Sequence, residues 1–407
     1  MSKVSENWEL KTLKDWGMVA QSGFASGVHN SEGNGVIHLR PMNISRMGKL
    51  DFENCKSIED RSNRRILFGD ILFNNTNSAE LVGKTTIIDA AGDFAYSNHM
   101  TRLRFPKEKI HNKYMAMLLH SMWMSGYFKE ICSNHVNQAS VSIKRLEQVE
   151  VSLPSLEEQR KIVEILEGHL SRLDSASENM KQAILRSGQF FASALNVLFF
   201  DSGTYGWDER PFSELGKWIT GSTPSSKHGE YLGDDVPFIT PGDIANGGVI
   251  HKSVRRISNL GADAVRRVKK DSVYLVCIGA TLGKVGLATF EATSNQQINA
   301  LEVNGEIVLP EYAMWFFASP EIQALLRSAS SSTTVPILNK GTLEKLRSRI
   351  PDVDTQRIQI RKFNKIVEFH TYLSQDYKKL EKALEAFRRS LLHSAFSGEL
   401  IKEVANV

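Results

Sequence analysis

The chain says nearly the same thing twice. Leu153-Pro154 followed by Gln159 returns as Ile350-Pro351 followed by Gln356, and Ser97-Asn98 returns as Ser294-Asn295, each at a spacing of 197 residues. That period is far longer than the roughly 20 to 50 residues of a solenoid unit. It means two copies of one module, in a chain of 407 residues that is too long for a single ordinary core. Each copy holds a polar-rich mixed segment and then one long helical segment. Such a duplication suits a ligand that itself has two similar halves, and duplex DNA is such a ligand.

The expected fold class is α+β. Residues 1–152 read as a first mixed α/β domain, 153–203 as a central long helix, 204–350 as a second domain, 351–400 as a C-terminal long helix and 401–407 as a tail. In the first domain, β-rich runs at 36–39, 71–73, 85–88 and 101–105 are separated by Gly, Asn and Ser. A helical stretch follows, with Met115, Leu118, Leu119 and Met122 at core-facing spacing. The second domain answers in kind. Residues 236–244 answer 35–44, 266–274 answer 64–72 with a one-residue slip, and Tyr312-Ala-Met-Trp315 answers Tyr114-Met-Ala-Met117.

The long segments are patterned for pairing. Ser155 and Glu158 form a capping box at the first one. Val163, Leu166, Leu170, Leu173, Met180, Ile184, Phe191 and Leu198 then fall on heptad positions, with Ser177, Ser187 and Ala194 between, up to Asp201-Ser202-Gly203. Asp352 caps the second, whose seam reads Ile360, Phe363, Val367, then Leu373, Tyr377, Leu380, Leu384, Phe387 and Leu391, with a stammer expected near His370. It stops at Ser397-Gly398. One amphipathic helix cannot bury its stripe alone. Two helices that both follow a globular domain can pair as an antiparallel coiled coil, which predicts domains at opposite ends about a pseudo-two-fold axis. The alternative is that each helix packs on its own domain.

Several classes are disfavoured. Cys55, Cys132 and Cys277 are far apart and odd in number, so neither a disulfide framework nor a zinc site is supported, and a reducing cytosol is the expected compartment. The N-terminal residues hold no apolar signal core, and the most apolar stretch, 194–200, is too short to span a membrane. A net charge of +4 permits a polyanionic partner without demanding one. No metalloprotease, nucleophile-elbow or kinase motif is present, nor the Asn-Pro-Pro-aromatic tetrapeptide of an amino-methyltransferase, so no catalytic residue and no metal ligand is assigned. Gly83-Lys84-Thr85-Thr86 looks like the tail of a phosphate loop, but Ser78 stands where the earlier glycine belongs.

The candidate contacts are therefore those of DNA recognition. Arg64, Arg65, Arg266, Arg267, Lys84 and Lys284 recur in both copies and suit phosphates. Amide and hydroxyl side chains suit base edges: Asn74, Asn75, Asn77, Asn98, His99 and Asn137 in the first copy, and Ser222, Thr223, Ser225, Lys227, Asn295, Gln296, Gln297 and Thr333 in the second. Ordinary turn capping by the same residue types is the competing explanation.

At this point the chain resembles a specificity subunit of a Type I restriction-modification system. The resemblance is carried by the Gly-Ser-Thr-Pro-Ser loop at 221–225, PFITPGDI at 237–244, Phe68-Gly-Asp-Ile-Leu72, the two Gly-Lys pairs, the Ser-Asn pairs, and above all LPSLEEQRKIVEIL at 153–166 with IPDVDTQRIQIRKF at 350–363. The second copy has Thr355 where glutamate is common, and the first lacks a clear counterpart of the 221–225 loop. The resemblance implies two target-recognition domains that each read half of a split sequence in double-stranded DNA. It implies helices that set the spacing and dock two adenine-methyltransferase subunits, with a motor-nuclease subunit added for restriction. S-adenosylmethionine, ATP and Mg²⁺ would then belong to those partners, and this cytoplasmic chain would hold no cofactor. Phe190, Phe199, Phe200, Leu392 and Phe396 are candidates for meeting other subunits. The rival reading is a coiled-coil adaptor that joins proteins without reading DNA.

Overall fold

The computed structural model describes residues 7–59, 62, 64–135, 138–201, 207–245, 247–331 and 335–400. Asn137, Thr333, the tail 401–407 and the side chain of Phe200 lie outside the described residues. The chain divides into two compact units, residues 1–180 with 378–407, and residues 181–377. Each unit holds one repeat and a stretch of both long helices.

The first unit is organised by the buried apolar run Ile71–Asn74, the inner strand of a four-stranded antiparallel sheet. Its order is Val19–Ser22, Met100–Arg104, Ile71–Asn74, Thr85–Ile87. Helix Asn112–Met124 buries Tyr114, Met115, Leu118 and Leu119 in the same core, and Met122 packs against it from a half-buried position. A second sheet pairs Val36–Leu39 antiparallel to Ser57–Ile58 and parallel to Phe94–Tyr96. A small ribbon joins Ser133–His135, Gln138–Ser140 and Thr76–Asn77. Glu9–Thr12 pairs with Glu150–Leu153, so the start of the domain is stitched to the strand that leads into the long helix.

The second unit repeats this plan with one more strand. Its main sheet runs Gly216–Thr220, Ile298–Val303, Ser272–Val276, Val285–Ala288, Gly248–Ile250. Its core gathers Phe212, Trp218, Tyr312, Phe316 and Phe317.

Strand partners fix the register of the repeat and correct two sequence alignments. Ile71 faces Ile87 and Leu103, and Val273 faces Leu287 and Leu301. Ile71 therefore answers Val273, Arg64 answers Arg266 with no slip, and Gly69 answers Asp271. Gly69 has φ +86°, and Asp271 at +62° is the one non-glycine of positive φ among the described residues. Aspartate tolerates that left-handed turn better than most side chains, which hid the correspondence. The repeated Ser-Asn pair is also one residue out of step. Ser97 donates its N–H to Leu39 and accepts from Met100, whereas Asn295 donates to Ile239 and accepts from Ile298. Ser97 thus answers Asn295, and His99 answers Gln297.

The first long helix spans Leu156–Asn196 and closes with a π-turn at Val197–Asp201; the second spans Val353–Ser397 and ends against Gly398 at φ +84°. Ser155 accepts from the Glu158 N–H while Glu158 Oε2 accepts from the Ser155 N–H, and Asp352 Oδ1 accepts from the Thr355 N–H at 2.9 Å. Just inside each start sits a buried glutamine. Gln159 Oε1 accepts from the His111 N–H while its Nε2 donates to the carbonyls of Lys109 and Pro154. Gln356 does the same with the Leu309 N–H and the carbonyls of Ile307 and Pro351. Each glutamine locks its helix to its own domain, and so the repeated glutamine is the most structural letter of the duplicated signature.

The helices run antiparallel. In the second unit Gln359 Nε2 donates to the Leu198 carbonyl, and Phe191 lies 5.1 Å from Phe363 and 5.0 Å from His370. In the first unit Arg388 ion-pairs with Asp174. Val163 and Leu166 are buried, and Leu170, Leu173, Met180, Ile184, Ser187, Phe191, Ala194 and Leu198 continue the half-buried heptad line. The helix starts also enter the domain cores through Ile162, Val163 and Leu166 in one unit and Ile360 and Phe363 in the other.

The expected stammer is absent. On the second helix the buried and half-buried line runs Phe363, Val367, His370, Ser374, Tyr377, Leu384, Arg388, Leu391, Ala395, in unbroken heptad phase. Leu373 is half-buried beside that line, but Leu380 is 50% exposed and Phe387 54% exposed, so neither is a seam residue. The apolar letters misled because Ser374, Glu381 and Arg388 occupy the positions one residue further on, where Arg388 is held by Asp174. Of the aromatic and aliphatic residues expected to face other subunits, Phe199 and Leu392 are buried, Phe396 packs on the first core, and Phe190 is 60% exposed. No helix among the described residues is long and apolar enough to cross a membrane.

Candidate nucleic-acid interface

In each unit a polar turn follows the strand that ends the smaller sheet, and one glycine makes room for it. A Cβ on Gly23 would come within 2.2 Å of the Tyr96 and Ser97 carbonyl oxygens, and one on Gly221 within 2.2 Å of the Asn295 carbonyl oxygen. Gly23 donates to the Met100 carbonyl as Gly221 does to that of Ile298. The segment opened by Gly23 is thus the first unit's counterpart of the 221–225 loop, conserved in backbone and not in letters.

The recurrent arginines make matching contacts within the protein, Arg64 and Arg266 from exposed positions. Arg64 Nη1 donates to the carbonyls of Ser22 and Gly23 at 3.0 and 2.9 Å, and Arg266 Nη1 to that of Thr220 at 2.8 Å. Arg65 pairs with Asp93 at 2.7 Å, and Arg267 pairs with Glu291 at 2.9 Å and Asp263 at 2.8 Å. Both pairs pin the segment before the central strand to its neighbours, at equivalent places. Their recurrence is explained by the fold.

Lys84 is likewise interior. It is 6% exposed, and its ammonium donates to the carbonyls of Pro41, at 3.1 Å, and Ile44. Burial, and then the nearby Arg46, pull its pKa down. Lys284 is half-buried. Asn74 is fully buried and donates to the Leu81 carbonyl at 2.9 Å. Asn75 spans Thr101 Oγ1, at 2.8 Å, and the Asn98 carbonyl, at 3.2 Å, which holds the turn in place.

The remaining candidates gather on two rims. In the first unit Asn77, Lys84 and His99 line a concavity of about 430 Å³ with Arg40, Thr76 and Gln138. Asn98 is exposed beside it, and Asn77 Oδ1 accepts from the Ser78 N–H. Arg40 was not expected from the sequence, whereas Gln138 belongs to the amide and hydroxyl run 133–140 whose residue types suit base edges. Arg40 sits at the head of a turn, 41–43, whose partner copy begins with Thr240, and only that position in the aligned motifs hinted at it. In the second unit Thr223 Oγ1 donates to Gln296 Oε1 at 2.8 Å, and Asn295 Nδ2 to Gln297 Oε1 at 2.9 Å. Gln297 reaches the Ile278 carbonyl at 3.5 Å. Ser225 and Lys227 are exposed further along the loop, and Ser222 is half-buried. Apart from the cationic Lys227, these are neutral donors and acceptors of the kind that pair with base edges. Among the described residues no cluster of three metal-ligating side chains occurs.

Two mixed domains with matching polar rims, each continued by a helix that pairs with the other's, define a duplicated recognition subunit. Both copies match one family: residues 5–186 and 205–382 correspond to the Type I restriction modification DNA specificity domain. The chain belongs to that family, and its role is that of the DNA-recognition subunit of a Type I restriction-modification system. It is 24% identical to the putative type I restriction enzyme MjaX specificity subunit of Methanocaldococcus jannaschii, over 96% of this chain and 94% of that one. It is 30% identical to the HindI specificity subunit of Haemophilus influenzae over 48% of this chain and 42% of that one. Among solved structures, a chain from work on complex assembly and conformational transition of the type I R-M system superposes with a TM-score of 0.76, at 18% identity, covering 98% of this chain and all of that one. The HsdS subunit of Thermoanaerobacter tengcongensis superposes at 0.58, also at 18% identity, with 98% of each chain covered.

Proposed function

We propose that the two domains each read one half of a split DNA target, and that the paired helices fix the gap between the halves. The observation that carries this reading is the duplicated rim: polar amide and hydroxyl side chains stand at equivalent turns in both units, beside arginines that brace those turns. Readout then rests on Asn77, Asn98, His99, Arg40 and Gln138 in one domain and on Thr223, Ser225, Lys227, Gln296 and Gln297 in the other. The neutral amides and hydroxyls of this set, with Arg40 and Lys227 as cationic donors, discriminate base edges, and phosphate contacts contribute affinity without sequence information.

On this reading the chain is non-catalytic and cytoplasmic. Methyl transfer to adenine, with its S-adenosylmethionine, belongs to two docked methyltransferase subunits, and ATP with Mg²⁺ to a motor-nuclease subunit. The duplicated specificity-domain match and the relatives named as specificity subunits support that division of labour.

The test is co-purification of an adenine methyltransferase with the tagged chain, followed by single-molecule sequencing of methylated adenines in cells with and without it. A motif with two specified halves and a fixed gap, lost on deletion, is the expected result. An unchanged methylome with no co-purifying methyltransferase would leave the coiled-coil adaptor as the better reading.

A further inference from the structure

The repeat supplies its own control. The matched glutamine clamps make Met117 on the first unit's helix answer Trp315 on the second's. Tyr114 packs on Phe396 at 5.3 Å as Tyr312 packs on Phe199 at 5.0 Å, so along the long helices Arg388 answers Phe191 and Leu166 answers Phe363.

In the second unit the space between domain and helices is filled ring on ring. Trp315 is 5% exposed, 4.9 Å from Phe363 and 6.0 Å from Phe191. Gly247 is what lets the indole lie flat there, since a Cβ would meet Trp315 at 2.7 Å. In the first unit the corresponding space is a cavity of about 390 Å³, lined among others by Met47, Met117, Met124, Leu170 and Arg388. Most of its charges are answered, since Asp174 accepts from both Arg388 and Lys49, and Glu167 from Lys113, while Asp89 stands exposed in the lining. His120 in its wall is engaged at both ring nitrogens, with the Thr85 N–H and the Arg46 carbonyl.

We propose that this cavity is a binding site for one flat aromatic side chain delivered by a docked protein subunit. The chemistry of the lining selects for it. Thioethers contact aromatic rings favourably, and a guanidinium attracts a ring face. The inner wall charges are paired with one another, and the remaining carboxylate, Asp89, is exposed to solvent. The source is protein because the repeat fills the same space with a tryptophan side chain, and because the mouth carries Met47 and Phe52, each 41% exposed, which extend the apolar surface outward. The proposal rests on reading this chain as a subunit that docks a methyltransferase.

The experiment is a titration of the full chain, labelled with ¹³C-methyl methionine, with indole as the probe. Met47, Met117 and Met124 methyl signals should shift together and saturate. Met117→Trp, which installs the second unit's own occupant, should weaken indole binding at least tenfold, and Met117→Phe should do so to a lesser degree. Methyltransferase subunit added to the chain should exclude indole. Absence of a saturable shift overturns the site, as does unchanged indole binding in a folded Met117→Trp or Met117→Phe variant. Indole that stays bound in an assembled complex, verified by gel filtration, overturns the docking assignment. Failure to assemble at all would count against the specificity-subunit reading itself, and the indole shifts would still decide the cavity.

Discussion

Replacing Gln159 by leucine tests what joins domain to helix. The side chain is 1% exposed and satisfies one N–H, that of His111, and two carbonyls, those of Lys109 and Pro154. Leucine fills a similar volume and leaves all three without that partner. An unsatisfied buried backbone group costs about 1–3 kcal/mol, with carbonyls toward the low end, so the expected loss is about 3–5 kcal/mol. That is a large fraction of the roughly 5–15 kcal/mol that holds a domain folded. With a urea slope of about 2–3 kcal/mol/M, the first unit's midpoint should fall by about 1.5 M. Hydrogen exchange at residues 109–115, followed by mass spectrometry, assigns the loss to this joint. Gln159→Glu should be about as harmful, because a carboxylate cannot donate to two carbonyls. Gln356→Leu should reproduce the effect in the second unit. A midpoint shift below about 0.3 M for Gln159→Leu, with unchanged exchange, would refute the clamp.

Other consequences follow from burial and charge. Leu166→Ala should cost about 2–5 kcal/mol while Leu380→Ala stays within about 0.5, compared by urea denaturation. Lys84→Met should lower stability by about 1–3 kcal/mol yet leave the salt dependence of DNA binding unchanged, because the ammonium serves the Pro41 and Ile44 carbonyls. Burial pulls the His120 pKa down to about 4, so the unfolded chain binds the extra proton between about 6.5 and 4. Its contribution is therefore full above pH 6.5 and is lost as pH falls toward 4, by about 3 kcal/mol in all, and His120→Leu should flatten the measured profile in that window. His99→Ala should relax sequence preference in one half of the methylated motif only, and Gln296→Ala in the other, as read by methylome sequencing.

The architecture was legible because pairing demands a pattern. Heptads, caps and the duplicated Pro-Gln signature each serve a backbone or seam requirement, and such requirements leave letters in the chain. The first helix seam held position by position. The second was misread at Leu380 and Phe387 because apolar letters were followed where an ion-paired arginine, Arg388, keeps the phase. The site was less legible. Arg64, Arg65, Arg266, Arg267 and Lys84 make contacts within the protein, and nothing in their spacing separates an internal carbonyl from a phosphate as partner. Arg40 became visible only when the chain brought distant segments to one concavity. Register failed at Ser-Asn because two identical letters landed on neighbouring positions of a turn.

The offsets between repeats carry a further meaning. Along the helices the two copies keep one interval, from the clamps Gln159 and Gln356 to Phe199 and Phe396 near the far ends. Across the domains the interval drifts, as Ile71 with Val273 and Ser97 with Asn295 demonstrate. A loop absorbs a single inserted residue, but a residue inserted into a paired helix turns every later side chain by about 100° out of the seam. Lengthening the spacer is thus a coordinated change, made in both helices at once and in steps that restore the phase, whereas the reading surfaces are free to vary one residue at a time.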